Sequence, residues 1–137
     1  MNYYATWRSN YFRVQDVAAF KAAMAKLEGV QVLEKETTDY FAVAQHPSCD
    51  GGIPCGKKDE KTGEWVEYNL ADEVAAYLKN SEVAVFMETG AEGIRYMVGY
   101  AVAVNNKGKT TYIDLQQIYR KAQRLAGRDV QIMRVEY

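Results

Sequence analysis

Apolar residues recur along this chain with two periods, one of two residues and one of three to four residues. The first period is typical of strands and the second of amphipathic helices. The two-residue period, together with short apolar runs between turn residues, predicts strands over residues 3–14, 30–33, 40–44, 64–68, 83–87, 94–104, 110–113 and 130–135. The longer period predicts three helices, which follow the candidate capping residues Asp16, Asn69 and Asp114.

The first and third predicted helices carry signals at both of their ends. Asp16 has a side-chain oxygen that can accept a hydrogen bond from the first helical turn, and Gly29 follows that helix. Asp114 and Gln117 have the spacing of a capping box, and Gly127 follows the third helix. Both helices are therefore bounded by the residues that commonly start and end a helix.

The strand predicted over 94–104 has one bulky side and one small side. Tyrosine and valine residues alternate there with Gly99, Ala101 and Ala103. Small side chains allow a neighbouring element to approach the sheet backbone closely. We therefore expect a helix to pack over these three small residues.

The order of the predicted elements indicates the fold class. A strand, a helix and two strands are followed by a loop, and then by a helix, three strands, a helix and a strand. Short turns join most of the strands, and the Asn-Asn-Lys-Gly turn at 105–108 is the clearest hairpin signal. The sequence predicts an α+β fold, a mostly antiparallel β-sheet with about three helices packed on one face. We expect a single domain over residues 1–137, with a Gly/Cys-rich loop insertion at about 46–63.

Composition restricts the kinds of partner. Of the 137 residues 48% are apolar, which is enough for a real core, and eleven are tyrosines, which suit both strands and interfaces. Seventeen basic and eighteen acidic residues give a formal net charge of −1, so no overall field attracts nucleic acid or an anionic membrane. The sequence has neither a run of roughly 18 apolar residues nor a signal-peptide pattern. We therefore expect a cytoplasmic protein that does not bind a membrane.

Residues able to bind a metal or act as nucleophiles are concentrated in the predicted loop. His46 and Cys49 have the spacing of a zinc knuckle, and Cys55 supplies a third soft ligand. A structural zinc site has four ligands, and the second pair of ligands is missing from the sequence. A cysteine nucleophile needs an adjacent base, and His46 is the only histidine. We therefore expect no catalytic residue and no cofactor, and keep a zinc or thiol site on this loop as an alternative.

Basic residues are concentrated in the third predicted helix and directly after it. If the first and last strands are neighbours in the sheet, these residues lie near the tyrosines of the first strand, and the combined surface suits an acidic protein or nucleic acid. An ordinary solvated helix face, with cations near its C-terminal end, accounts for the same residues. The candidate partner-binding residues are Tyr3, Tyr4, Arg8, Arg120, Arg124 and Arg128.

Three segments carry a resemblance to a group of small proteins. They are SNYFRV at 9–14, METGAEGIRY at 87–96 and GYAVAVN at 99–105. With these segments the chain resembles small uncharacterised proteins carried by bacterial phages and plasmids, with the cysteine loop as a variable insertion. The resemblance implies a context, because mobile elements often encode small single-domain inhibitors of host defence, such as anti-CRISPR proteins. It implies no role for any particular residue.

These observations favour an interaction protein over an enzyme. The leading hypothesis is a phage- or plasmid-encoded inhibitor that binds a host protein or ribonucleoprotein of a defence complex through tyrosine and arginine side chains. The first alternative is a regulator that binds nucleic acid with the same face. The second is a small zinc or thiol enzyme that uses His46, Cys49 and Cys55. A homodimer is a further alternative, because an edge strand near either terminus can pair with a copy of itself.

Overall fold

The computed structural model describes residues 3–135, which form a seven-stranded sheet, a two-stranded hairpin and three helices. The strands are β1 Tyr4–Ser9, β2 Phe12–Arg13, β3 Val30–Glu34, β4 Tyr40–Gln45, β5 Gly56–Lys58, β6 Trp65–Glu67, β7 Val83–Glu92, β8 Tyr96–Asn105 and β9 Thr110–Asp114. The helices are α1 Val17–Ala25, α2 Leu70–Ala75 and α3 Ile118–Ala126, and a 3-10 turn at Leu115–Gln117 directly precedes α3. The α+β class and the antiparallel sheet predicted from the sequence are confirmed.

The strands of the large sheet lie in the order β3, β4, β1 with β2, β7, β8 and β9, and every neighbouring pair is antiparallel. β1 and β2 share the same side of β4, because Arg8 pairs with Ala44 and Phe12 pairs with Phe41. These two pairs enclose one more residue on the β1–β2 side than on β4, which is a β-bulge. The chain segment predicted as one strand over 3–14 is therefore two short strands.

Ser9 allows the sheet to continue through this bulge. Its hydroxyl group accepts a 2.9 Å hydrogen bond from the backbone N–H of Val43, so that group keeps a partner where the ladder is interrupted. The extra residue also shifts the buried positions by one, since Trp7 is buried before the bulge and Phe12 and Val14 are buried after it. A strict alternation cannot predict this change of register.

Helices α1 and α2 pack on one face of the sheet and enclose the hydrophobic core with it. The ring of Phe20 in α1 lies edge-on to that of Phe12 at a centroid distance of 5.9 Å, and Val74 of α2 is fully buried. Phe86 and Val104 complete the cluster from β7 and β8. Each fully buried side chain of this size contributes roughly 1.5–3 kcal/mol, so this layer is the main source of stability.

The predicted caps of α1 and α2 are confirmed, and the capping box of α3 is wrong. Asp16 and Asn69 each accept a hydrogen bond from an N–H of the first turn, at 3.0 and 3.3 Å. Asp114 makes no capping hydrogen bond, and its carboxylate accepts the hydroxyl of Tyr112 at 3.0 Å instead. A 3-10 turn follows Asp114, so α3 begins only at Ile118.

Residues 130–135 form no strand, which corrects the prediction for this segment. They run beside α3, where the side-chain amide of Gln123 donates to the carbonyl of Val130 at 2.6 Å. The N–H of Val135 donates to the hydroxyl of Tyr119. Because these backbone groups bond to side chains of α3, the segment adds no strand to the edge of the sheet.

Part of the predicted loop insertion forms a hairpin. Residues 46–55 are irregular, but β5 pairs with β6 to make a separate two-stranded sheet. The strand predicted over 64–68 is therefore present in a shorter form, and its partner comes from the loop itself. The irregular part joins the main sheet through the N–H of Ala5, which donates to the carbonyl of Asp50 at 2.7 Å.

The second face of the sheet has no helix packed over β7, β8 and β9 within residues 3–135. Its residues are the odd-numbered ones of 83–91, 97–103 and 111–113, and we call this surface the bare face. Leu115 contacts Gly99, since a Cβ atom at that glycine would lie 2.8 Å from the leucine side chain. No residue of α3 is buried. The helix predicted over the small residues of β8 is therefore reduced to a single 3-10 turn at one end of the face.

Candidate functional site

A buried carboxylate lies on the core side of the sheet. Glu88 of β7 is only 6% exposed and accepts three hydrogen bonds. The hydroxyl groups of Tyr3 and Tyr100 donate to its two oxygens at 2.8 and 3.0 Å. The backbone N–H of Ile53 donates to it at 2.6 Å. This one side chain therefore ties together the N-terminal segment, the loop at 46–55 and β8.

The alternation of β7 explains why a charged residue occupies this position. Ala84, Phe86 and Glu88 share the core side of the strand. Gly52 lets the loop approach the carboxylate, because a Cβ atom there would lie 2.7 Å from both of its oxygens. A buried charge without partners is strongly unfavourable, so the three donors are what keep Glu88 in the core.

The same contacts change the acidity of the two tyrosines. Burial, followed by the hydrogen bond to Glu88, raises the pKa of Tyr3 to about 12. The same two causes also raise the pKa of Tyr100. Both hydroxyl groups therefore stay protonated near neutral pH, where they serve as hydrogen-bond donors and not as bases.

A cleft of about 270 Å³ opens next to this network, between the loop, the start of α2 and strands β8 and β9. The rings of Tyr100 and Tyr112 form one wall, with their centroids 5.8 Å apart. Burial raises the pKa of Tyr68, on the opposite wall, to about 12. Cys55 also lines the cleft, and the described residues around it include no histidine or carboxylate. The cleft thus holds a thiol without the base that a cysteine nucleophile needs.

The three residues of the predicted metal site occupy different surroundings. His46 uses Nδ1 to bond the Ser48 hydroxyl at 2.7 Å, and Cys49 lies against Gly29, whereas Cys55 lines the cleft. In the part of the chain that the structure describes, no three His, Cys, Asp or Glu side chains are close enough to share a metal ion. A zinc or thiol site on this loop stays a prediction, which elemental analysis of the purified protein tests directly.

Residues 115–135, which we call the C-terminal module, place basic and apolar groups on different sides of one exposed helix. Arg120 and Arg124 lie one turn apart on α3, with Lys121 beside them. Ile118 and Leu125 lie on another side and are 57% and 92% exposed. With five basic residues and one acidic residue, the module has a formal charge of +4, so the remainder of this −1 chain has −5.

The basic residues of the module differ in their contacts. Arg134 is used internally, because it donates to Gln116 at 2.9 Å and lies 4.6 Å from the ring centroid of Tyr119. Four others are exposed, and none of them forms a salt bridge among residues 3–135. These four are Arg120, Lys121, Arg124 and Arg128.

The other predicted partner-binding residues lie on or next to β1. Tyr4 and Arg8 are exposed there, and Arg8 lies 5.5 Å from the ring centroid of Tyr11. Tyr3 is half-buried and bonded to the carboxylate described above. The condition for a combined surface, that the first and last strands are neighbours, is not met, because residues 130–135 form no strand.

Sequence reasoning missed two features of these sites. One is the buried carboxylate of Glu88. Alternate residues of a strand share one face, so Glu88 lies on the same side as the apolar Ala84 and Phe86, and this spacing could have indicated its burial. The other is the exposure of Ile118 and Leu125, which the helical period marks as a buried side. No local signal distinguishes an apolar helix side that packs within its own chain from one that does not.

None of the helices in residues 3–135 has the length and apolar content needed to cross a bilayer. Comparisons of this chain with protein-family models, with curated proteins and with solved structures find no significant match. The residues described above are therefore the evidence from which a function has to be argued.

Proposed function

We propose that this protein is a non-enzymatic interaction protein, which binds an acidic surface of a partner protein through the basic side of α3. One observation supports the proposal above the others: Arg120, Lys121, Arg124 and Arg128 are exposed and form no salt bridge among the described residues. They belong to a module of charge +4 on a remainder of charge −5. A partner attracted by this field meets the module and is repelled elsewhere, which orients the encounter.

The resemblance to phage- and plasmid-borne proteins suggests where such a partner is found. We propose that it is a protein or ribonucleoprotein of a host defence complex in the bacterial cytoplasm. The small protein inhibits the complex by covering a surface that the complex needs. Arginine side chains suit this role because they are enriched among the residues that contribute most to interface energies.

A matched pair of charge reversals tests the proposal. The variant R120E/R124E reverses the basic side of α3, and K107E/K109E makes the same charge change at exposed lysines of the β8–β9 turn. Both variants are used as bait in a host lysate, and recovered proteins are quantified by mass spectrometry. We expect one acidic partner to be lost by at least tenfold with R120E/R124E and retained with K107E/K109E. Equal recovery with both variants contradicts the proposal.

Nucleic acid is a second candidate partner, favoured by the same four exposed cations. Phosphate contacts release counterions, so the affinity for DNA or RNA would fall steeply as salt is raised. The charge of −5 on the remainder of the chain opposes the approach of a long polyanion, and we therefore rank this candidate second. Titration of labelled DNA and RNA at low salt decides the matter, since absence of binding there excludes it.

A further inference from the structure

We propose that the cleft beside Glu88 binds a quaternary ammonium ion, a positively charged nitrogen covered by methyl groups. The cleft lies between the loop at 46–55, the start of α2 and strands β8 and β9, and no residue of α3 lines it. The proposal therefore goes beyond the function proposed above and does not depend on it.

The walls of the cleft are aromatic and apolar. Tyr68 lines one side, and Tyr100 and Tyr112 line the other, where their ring centroids are 5.8 Å apart. The remaining apolar lining consists of Ile53, Pro54, Leu70, Ala71, Phe86 and Val102. The faces of aromatic rings attract cations, and several rings around one cleft are the usual way in which proteins bind a methylated ammonium group.

Two of the wall tyrosines donate their hydroxyl groups to carboxylates. Tyr100 donates to Glu88 at 3.0 Å, and Tyr112 donates to Asp114 at 3.0 Å. Burial raises the pKa values of both tyrosines, and the bonded carboxylates raise them further. A hydrogen bond to an anion polarises the phenol, so its ring becomes richer in electrons. This wall therefore favours a cation over an anion.

The charges close to Tyr68 are mixed. The ammonium group of Lys57 lies 5.7 Å from its ring centroid, but Lys57 does not line the cleft. Burial raises the pKa of Tyr68, and Cys55 and Glu73 raise it further. Among the described residues that line the cleft, none is a lysine, an arginine or a histidine. The positive charge of Lys57 is thus local to one wall, and the cleft itself is free for a cation.

Size and hydration select a methylated cation. The cleft has a volume of about 270 Å³, whereas a cavity of about 150 Å³ already holds benzene. A trimethylammonium group with a short chain therefore fits. A simple ammonium ion is strongly hydrated and would lose its water in an apolar cleft. Methyl groups weaken this hydration and bring apolar surface to the apolar lining.

The hydroxyl group of Tyr68 indicates that the cleft is not shaped for stability alone. Its oxygen is shielded from solvent and has no hydrogen-bond partner among residues 3–135. Buried polar groups nearly always have a partner, and departures from this rule are expected at functional sites. This second observation supports a binding role for the same wall.

Titration with choline, and with the uncharged alcohol in which a carbon atom replaces its nitrogen, tests the proposal. The two molecules have nearly the same shape and differ in charge. Binding is followed by the backbone amide NMR signals of Ile53, Leu70 and Val102, which line the cleft. We expect choline to bind at least about fivefold more tightly than the alcohol. Equal affinities, or no shift of these signals with choline, would overturn the proposal.

Matched substitutions locate the site. Tyr112→Leu removes a ring from the wall, and Tyr4→Leu removes a similarly exposed ring from β1 as the control, since the two side chains are 52% and 56% exposed. The affinity for choline should fall about fivefold in Tyr112→Leu and stay unchanged in Tyr4→Leu. Asp114→Asn removes a charge but keeps an acceptor for Tyr112, so it should weaken the binding of choline and not that of the alcohol. If Tyr112→Leu weakens both ligands equally, the ring is only an apolar wall and the proposal fails.

The two cysteines give an independent measure in the unaltered protein. Both are exposed, but Cys55 lines the cleft and Cys49 does not. Choline should slow the alkylation of Cys55 by iodoacetamide and leave the rate at Cys49 unchanged, as measured by mass spectrometry of the peptides. Sodium chloride at the same concentration should slow neither. Equal rates at Cys55 with choline and with sodium chloride would contradict binding in the cleft.

A trimethylammonium group occurs in free small molecules and on the side chain of trimethylated lysine. A short peptide with trimethyllysine, compared with its unmodified form, distinguishes these sources. Binding of choline without the peptide assigns the site to a small molecule, tighter binding of the modified peptide assigns it to a modified protein, and binding of neither excludes the site. R120E/R124E should keep the wild-type affinity for choline, so failure of this proposal and failure of the proposed function are distinguishable.

Discussion

Helices α1 and α3 are both nine residues long, yet they stand in opposite relation to the sheet. α1 buries Phe20 and Met24 completely against the sheet, whereas α3 buries no residue. Their sequences would suggest the reverse, because α3 separates apolar from charged positions more sharply than the alanine-rich α1 does. An amphipathic pattern thus shows that a helix has an apolar side, and it leaves open which surface covers that side.

The two faces of the sheet repeat this contrast. On one face, β7 places Phe86 and Glu88 under helices and a loop; on the other it leaves Met87 exposed. Over β7, β8 and β9 the exposed face has no ionisable residue, so hydrophobicity alone does not determine which face carries helices. Connectivity distinguishes the helices, since α1 and α2 each lie between two strands of the chain, whereas no strand follows α3 among the described residues.

The contrast between the helices is tested most strongly by removing one large side chain from each. Phe20→Ala should lower the free energy of unfolding by about 4 kcal/mol, because it leaves a cavity in the core. Leu125→Ala should change it by no more than about 0.5 kcal/mol at a concentration where sedimentation reports monomer, because this side chain is exposed. Urea denaturation followed by circular dichroism measures both values. A loss of several kcal/mol in Leu125→Ala would mean that α3 packs within its own chain.

Much of this fold could be predicted because it depends on local signals. The caps at Asp16 and Asn69, the hairpin turn at 105–108 and the alternation in β7 and β8 each act within a few residues. The bulge after Ser9 could not be predicted, because it depends on how β1 and β2 together meet β4. The segment 130–135 has strand-like residues but bonds to α3, a competition between partners that no local pattern reports.

The candidate sites were less accessible to sequence reasoning than the fold. The arginines of α3 were identified correctly as an exposed basic cluster, since cations near a helix end are usually solvated. The expectation that these arginines lie near the tyrosines of β1 depended on a final strand at 130–135, and that strand does not form. Glu88 was overlooked, because the strand predicted over 83–87 ends one residue before it, whereas β7 continues to Glu92, and because its three donors come from positions 3, 53 and 100.

A second pair of substitutions compares a buried and a more open carboxylate of β7. Glu88→Ala should lower the free energy of unfolding by about 3 kcal/mol. The substitution leaves the hydroxyl groups of Tyr3 and Tyr100 and the N–H of Ile53 without their acceptor. Glu92→Ala removes the acceptor of one exposed tyrosine hydroxyl and the partner of the exposed Arg95, and should lower the free energy of unfolding by about 1 kcal/mol. Urea denaturation at pH 7 measures both. Equal decreases in the free energy of unfolding would show that the three hydrogen bonds to buried Glu88 stabilise the fold no more than the contacts of the more exposed Glu92.

The smallest expected effect concerns alkaline pH and neighbouring tyrosines on the two sides of the sheet. The pKa of Tyr3 is raised to about 12 in the folded protein, against about 10 in an unfolded chain. The unfolded state therefore loses its proton first, so the stabilisation from this group is complete below pH 10 and is lost as the pH rises toward 12. Tyr3→Phe should flatten the decrease in unfolding free energy between pH 9 and 11. Tyr4→Phe removes an exposed hydroxyl and leaves the bonds to Glu88 intact, so it should keep the wild-type slope. An unchanged slope in Tyr3→Phe would mean that the burial of this hydroxyl and its hydrogen bond to Glu88 do not persist in solution.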